Sequence, residues 1–246
     1  MDTNNNIYTV VYTAIIVVVV AGILAAAATF LKPSQQANIK AETISQMLQA
    51  AQFETAGLNN VQKLDKYAEE IDRAFTVDAS GAKVRDLDVS RKGIELVDNL
   101  KAQNYAIAGK PGNEPQLPVY ILKNGVTIVP VYGAGLWGPV WGYLAIEPDG
   151  CTIKGAYFDH ESETAGLGSR IKDDPAFRAQ FVGRRIAWGD EKQFAIVKGG
   201  APEDQDNAID AITGATMTSK GLDAAINTWL AAYEPYFAAG NNAEEE

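Results

Sequence analysis

The sequence predicts an α+β fold: one N-terminal transmembrane helix, then a single domain built on a central antiparallel sheet with flanking helices. Three observations carry that expectation. An uncharged apolar stretch opens the chain, β-rich runs punctuated by turn signals fill its middle, and amphipathic helical spacing lies on both sides of those runs. The composition agrees, since 246 residues with 47% hydrophobic and 21% charged side chains supply a sizeable core and exclude whole-chain disorder.

From Thr3 to Leu31 no side chain is charged, and Val10–Ala28 is almost wholly apolar. A helix of about 20 such residues spans a hydrocarbon core of about 30 Å. The run Ile15-Ile16-Val17-Val18-Val19-Val20 forms helix poorly in water, but lipid forces backbone hydrogen bonds to close internally, so a helix is expected. Tyr8 and Tyr12 stand where interfacial aromatics would, and Lys32-Pro33 is expected to end the segment. The alternative, a cleaved signal peptide with Ala26–Ala28 as its small-residue site, wants a basic start that Met1–Asn6 lacks. The anchor is thus assigned to residues 1–32, one domain to 33–240 and an acidic tail to 241–246. Lys32 and Lys40 follow the span and place the domain in the cytoplasm only weakly, because long domains cross largely regardless of charge.

After Pro33, Ile44, Met47, Leu48 and Ala51 share one helical face. Val61, Leu64, Ala68, Ile71 and Phe75 continue at helical intervals, with Asn59 or Asn60 placed to cap them. Then the period changes. Val119–Leu122 and Val126–Val131 read as strands around the Lys123-Asn124-Gly125 turn, and Val140–Ile146 and Cys151–Phe158 repeat the pattern around Asp149-Gly150. Asp174-Pro175 opens a short helix carrying Phe177 and Phe181, and Phe194–Val197 reads as a further strand. Leu222, Ala225, Ile226, Trp229 and Tyr233 mark a final amphipathic helix.

Small counts exclude whole classes of chemistry. One cysteine, Cys151, and one histidine, His160, leave no metal centre of the cysteine or multi-histidine kind and no internal disulfide. No catalytic residue and no metal ligand is therefore assigned. A net charge of -10 argues against a broad nucleic-acid surface.

Three segments draw attention. Gly133-Ala134-Gly135-Leu136-Trp137-Gly138 matches a dinucleotide fingerprint by letter, but Pro139 and strand-like residues follow instead of a helix. It is read as a tight loop between strands that presents Trp137. His160–Gly168 is dense in polar groups and glycine; it reads either as a plain strand-to-helix connection or as a loop lying against a ligand. Thr213, Gly214, Thr216, Thr218 and Ser219 stand just before the last helix, whose first turn is a natural seat for a phosphate or, equally, needs only one hydroxyl as a cap.

Asp210 followed by Thr213-Gly214-Ala215-Thr216 resembles the D-x-x-[ST]-G-A-T motif of covalent flavoproteins, in which the last threonine is esterified to the phosphate of FMN. Glu163-Thr164-Ala165-Gly166-Leu167-Gly168 is similar to that family's E-T-P-G-L-G, with Ala165 in place of proline, and Gly135-Leu136-Trp137 to its G-L-W loop. With the single membrane helix and the chain length, the sequence resembles the C subunit family of sodium-translocating NADH:quinone oxidoreductases. The G subunit of the Rnf electron-transport complex shares the flavin motif and is the nearest alternative. A non-redox anchored binding module, with hydroxyls serving only as caps, is another.

The resemblance implies an FMN-binding domain with covalent FMN on Thr216, attached from FAD by a separate flavin transferase. It implies that Thr164, Leu167 and Trp137 line the ring and that Thr213, Gly214 and Ala215 lie near the phosphate. The same motifs add Leu136, Glu163, Gly166 and Ile212 to the cofactor-binding set. Thr218 and Ser219 are expected to matter less than Thr213. The implied role is an electron-carrier subunit that relays electrons one at a time in a complex passing them from NADH to a quinone and exporting sodium. The implied partners are the other subunits, a second FMN subunit among them, and membrane lipid. The implied place is the bacterial inner membrane, single-pass, with the large domain on the periplasmic side. Lys198 is added from the residues alone: a cation near the N1–C2 carbonyl edge of a flavin would raise its potential, whereas the plain reading is a solvated strand-end lysine.

Overall fold

The structure, a computed structural model, describes residues 6–110 and 114–241. In chain order it contains α1 (Asn6–Ala50), α2 (Asn60–Glu70), β1 (Ile71–Val77), β2 (Lys83–Leu87), α3 (Leu100–Ile107), β3 (Leu117–Leu122), β4 (Thr127–Ala134), β5 (Pro139–Ile146), β6 (Ile153–His160), α4 (Arg170–Asp173), α5 (Pro175–Ala179), β7 (Ala195–Val197), β8 (Ala208–Asp210) and α6 (Thr216–Asn241). Two compact units result, Met1–Glu42 and Thr43–Glu246. Residues 242–246 of the expected acidic tail lie outside the described residues.

The first unit holds the apolar stretch of α1, whose side chains are exposed, Val18 at 70% and Ile23 at 64%. Among the described residues α1 is the one helix long and apolar enough to cross a membrane. Lys32-Pro33 closes the apolar segment in the sequence, but the helix itself runs on: Pro33 lies inside α1. An interior proline forfeits one hydrogen bond and costs about 3 kcal/mol. Good helix formers flank it, and Ile44, Met47 and Leu48, wholly buried farther along, hold the helical conformation to Ala50.

The second unit is a six-stranded sheet, order β2-β1-β3-β4-β5-β6, antiparallel throughout. Alternate residues feed two cores. Val119, Val131, Val140, Leu144 and Phe158 face one that α6 fills with Leu222, Ile226, Trp229 and Tyr233. Tyr120, Tyr143, Ala145 and Tyr157 face another, closed by Ile44, Met47, Leu48 and Tyr67. Strands buried on both faces read as continuous apolar runs, which is why β3 to β6 were visible in the sequence.

Helical spacing through Ile71 and Phe75 misled. α2 stops at Glu70 and Ile71 opens β1, because Phe75-Thr76-Val77 favour strand and pair with both β2 and β3. The Asn59 cap is as expected, and Gln62 completes a capping box: the Asn59 side chain accepts from Gln62 N at 3.0 Å, and Asn59 N donates to the Gln62 side chain at 2.9 Å. β2, α3 and β8 had no reading in the sequence.

The β3–β4 ladder runs only through Tyr120–Ile128 and Ile121–Thr127. Continued in register, it would set Pro118 opposite Pro130, and neither has an N–H to donate. Where the strands part, α6 supplies donors: Tyr233 Oη donates to Pro118 O at 2.7 Å and Trp229 Nε1 to Tyr132 O at 2.8 Å. These bonds lay α6 along β4. A Cβ on Gly133 would stand 2.6 Å from Ala225 Cβ, so glycine there sets the close approach. The helix therefore begins beside the β4–β5 loop.

Candidate functional site

The loop between β4 and β5 is closed by Gly135 N donating to Gly138 O at 2.8 Å. Its glycines are there for space. A Cβ on Gly135 would fall 2.5 Å from Glu163 Oε1, and one on Gly138 would strike Ser162 Oγ. The side chains that the loop presents are apolar and outward, Leu136 at 48% and Trp137 at 67% exposure.

The loop after β6 carries Glu163, which is 7% exposed. Its Oε1 accepts from Leu136 N at 2.7 Å and Trp137 N at 2.9 Å, and its Oε2 accepts from the hydroxyl of Thr218 in the first turn of α6. Burial pushes this carboxyl up, but the hydroxyl of Thr218 and the amides of Trp137 and Leu136 outweigh burial and hold it below the ordinary glutamate value. Its own N–H donates to His160 Nδ1 at 3.2 Å. Beyond it, Thr164 O accepts from Leu167 N and Ser169 N, both at 3.1 Å, and Gly166 turns at φ +74°, where glycine alone is at ease. Thr164, Gly166 and Leu167 are left exposed.

The third wall is the connection from β8 into α6. Ala215 N donates to Ile212 O at 3.1 Å, Gly214 takes φ +84°, and Ser219 Oγ accepts from Ile212 N at 3.1 Å. Ile212 and Ala215 point into the core, while Thr213 and Gly214 are exposed and Thr216 is half-buried. A Cβ on Gly214 would lie 3.1 Å from Leu167 Cδ2, so this turn and the Leu167 loop touch. Thr216 is the first residue of α6, and the helix has no acidic residue in its first turn. Its unpaired amides and positive end are thus left for an anion.

The four hydroxyls divide. Thr218 and Ser219, each 1% exposed, are committed to Glu163 and to Ile212 N. Thr213 and Thr216 carry no such commitment among the described residues. Sequence reasoning missed the bond between Thr218 and Glu163, having ranked Thr218 below Thr213; its only signal was a polar residue on the inward side of an amphipathic helix. It also missed Met217, 56% exposed beside Thr216. Lys198 follows Val197, which pairs with Asp210 in the parallel β7–β8 ladder. It is exposed, and among the described residues no hydrogen bond or ion pair draws it to the other loops. No group of three or more metal-binding side chains occurs among the described residues.

Residues 135–231, which span all three walls, match the FMN-binding domain family. The chain is 31% identical over 223 residues to the Na(+)-translocating NADH-quinone reductase C subunit of Vibrio parahaemolyticus, covering 85% of this chain and 84% of that protein. The chain belongs to the family of Na(+)-translocating NADH-quinone reductase C subunits. Solved members of that family agree in three dimensions. The Parabacteroides distasonis C subunit superposes with a TM-score of 0.70 at 32% identity, covering 84% of this chain and 96% of that chain. Shewanella oneidensis NqrC does so with 0.66 at 26% identity, covering 82% and 97%.

Whether the residues suit the phosphate and ring of FMN can be judged on the geometry. A hydroxyl with no partner among the described residues opens a helix that has no acid in its first turn, and Leu136, Trp137, Leu167 and Met217 expose apolar surface on the loops and turn around it. Phosphate chemistry at the helix and a flat apolar ring against the loops both fit.

Proposed function

We propose that this chain is the electron-carrier subunit of a membrane NADH:quinone reductase that exports sodium, and that it carries FMN esterified through its phosphate to Thr216. The observation that supports this best is the division of hydroxyls: two are buried in structural bonds, and Thr216, at the helix start, has no partner among the described residues. Thr216 supplies the oxygen of the ester. The turn at Gly214 and the first amides of α6 orient the phosphate, with Thr213 as a hydrogen-bond donor. Trp137, Leu136, Thr164 and Leu167 cover the ring and exclude water. When bound, the flavin supplies a carrier that takes up and passes on electrons singly. A covalent tether suits a relay station because the cofactor cannot leave.

Residues 1–32 anchor the chain in lipid of the bacterial inner membrane, and the domain from residue 33 lies on the periplasmic side, where a flavin transferase loads it. The other subunits of the complex, a second FMN subunit among them, supply and remove the electrons.

Co-expression with a flavin transferase, followed by in-gel fluorescence after denaturing electrophoresis, tests the attachment. Thr216→Ala removes the oxygen and should abolish the fluorescent band. Thr216→Ser keeps the oxygen but frees χ1, and should give partial labelling. A band of undiminished intensity in Thr216→Ala would refute the reading.

A further inference from the structure

We propose that Glu163 is a positioning residue, with Thr218 as its second anchor: it fastens the Leu136-Trp137 loop and the first turn of α6 to its own loop, so that the flavin seat is built before any cofactor arrives. The identity of the occupant rests on the reading above; the fastening itself does not.

A carboxylate is acceptor-only and has two oxygens, so it can serve several donors at once. Here Oε1 takes two consecutive amides, at 2.7 and 2.9 Å, and Oε2 takes the Thr218 hydroxyl. All three donors are uncharged, and among the described residues Glu163 makes no ion pair, so directed bonds hold the anion. Such charge-assisted bonds are about twice as strong as neutral ones. The slot is tight as well: a Cβ on Gly135 would lie 2.5 Å from Oε1, and one on Gly168 2.5 Å from Oε2 and 2.6 Å from Thr218 Oγ1. Glycine on both sides leaves the carboxylate one place to be.

The bonds reach the backbone of Leu136 and Trp137 and leave those side chains turned to solvent. Two exposed apolar side chains would otherwise collapse onto any apolar surface within reach. Thr218 stands two residues after Thr216 in the same helical turn, so the bond that fixes it also holds the backbone that carries Thr216. Glu163 thereby acts on the flavin through its neighbours and needs no contact with it.

The test uses the full chain in detergent. In flavin-free protein, hydrogen exchange is followed at the amides of Leu136 and Trp137. Flavin occupancy is then measured by intact mass after incubation with FAD and transferase, and the attached flavin is examined by visible circular dichroism. Glu163→Ala should exchange both amides at least tenfold faster and lower occupancy severalfold. Glu163→Gln offers one acceptor oxygen and an amide that must donate, so it should fall between the two and alter the dichroism. Thr218→Val should leave the loop amides slow while lowering occupancy. If Glu163→Ala does not fold, Glu163→Gln carries the exchange comparison and Thr218→Val the occupancy comparison. Amides as slow in Glu163→Ala, or in Glu163→Gln, as in the parent would overturn the proposal. So would fast exchange with unchanged occupancy and dichroism, which would make Glu163 a fold cross-link only. A parent chain that accepts no flavin would sink the FMN reading, and the exchange result alone would then decide the fastening.

Discussion

Thr216 and Thr218 lie within one helical turn and answer to different demands. Thr218 is buried and gives its proton to a buried carboxylate, whereas Thr216 sits at the helix start without a partner among the described residues. Thr218→Ala would leave Glu163 short of a donor and should destabilise the domain by about 1–3 kcal/mol. Thr216→Ala should cost no more than a lost cap, about 1 kcal/mol. Urea unfolding of flavin-free protein separates the two, and equal midpoints would contradict the assignment. The sequence-based ranking, which placed Thr218 and Ser219 below Thr213, concerned flavin attachment, and stability is a separate demand. For Thr218 that demand depends on a bond across 55 residues and on burial, neither of which a single sequence displays.

At the scale of elements, α6 is the beam on which the site rests. Trp229 is fully buried and its Nε1 donates to Tyr132 O and to Asn104 Oδ1, the latter at 3.0 Å. Trp229→Ala should cost about 3–5 kcal/mol, and Trp229→Phe, which keeps the ring but orphans those acceptors, about 1–3 kcal/mol. A Phe variant as stable as the parent would show that the opened β3–β4 edge needs no donor. The β5–β6 turn makes a separate prediction. Burial raises the Asp149 carboxyl, but the hydroxyl and amide of Thr152 and the amide of Cys151 outweigh it and hold the group at about 2. A folded value below the unfolded one gives stability that is present above about pH 4 and is lost as pH falls toward 2. Asp149→Asn should therefore lower the melting temperature at neutral pH, with the deficit shrinking on acidification. A deficit that does not change with pH would contradict this. The hairpins at Gly125 and Gly150 were legible because glycine at φ +83° and +71° announces its turn. β2, with Lys83, Arg85 and Asp86, was not, since an edge strand carries charge where an inner strand carries apolar residues. The α2–β1 boundary was hidden because Ile71 and Phe75 fit both periods.

For the whole molecule, strands β3 to β6 of the central sheet and the last helix were readable from pattern alone, and the flavin motif from resemblance. Glu163 was legible as a member of that motif, but the bonds by which it joins the three walls appeared only in the folded chain. Helix α1, apolar and without a basic start, leads to the expectation that the anchor is retained, and the family resemblance adds the expectation that the domain is external. Protease added to intact spheroplasts should digest the domain, and a fully shielded domain would reverse that orientation. The central claim is tested most directly on the protein purified from a host that supplies the transferase. Trypsin should release residues 199–220, which hold Thr213, Thr216, Thr218 and Ser219 together. Fragmentation of that peptide by mass spectrometry is predicted to place one flavin phosphate on Thr216. An unmodified peptide, or the same mass on Thr213 or Thr218, would contradict it.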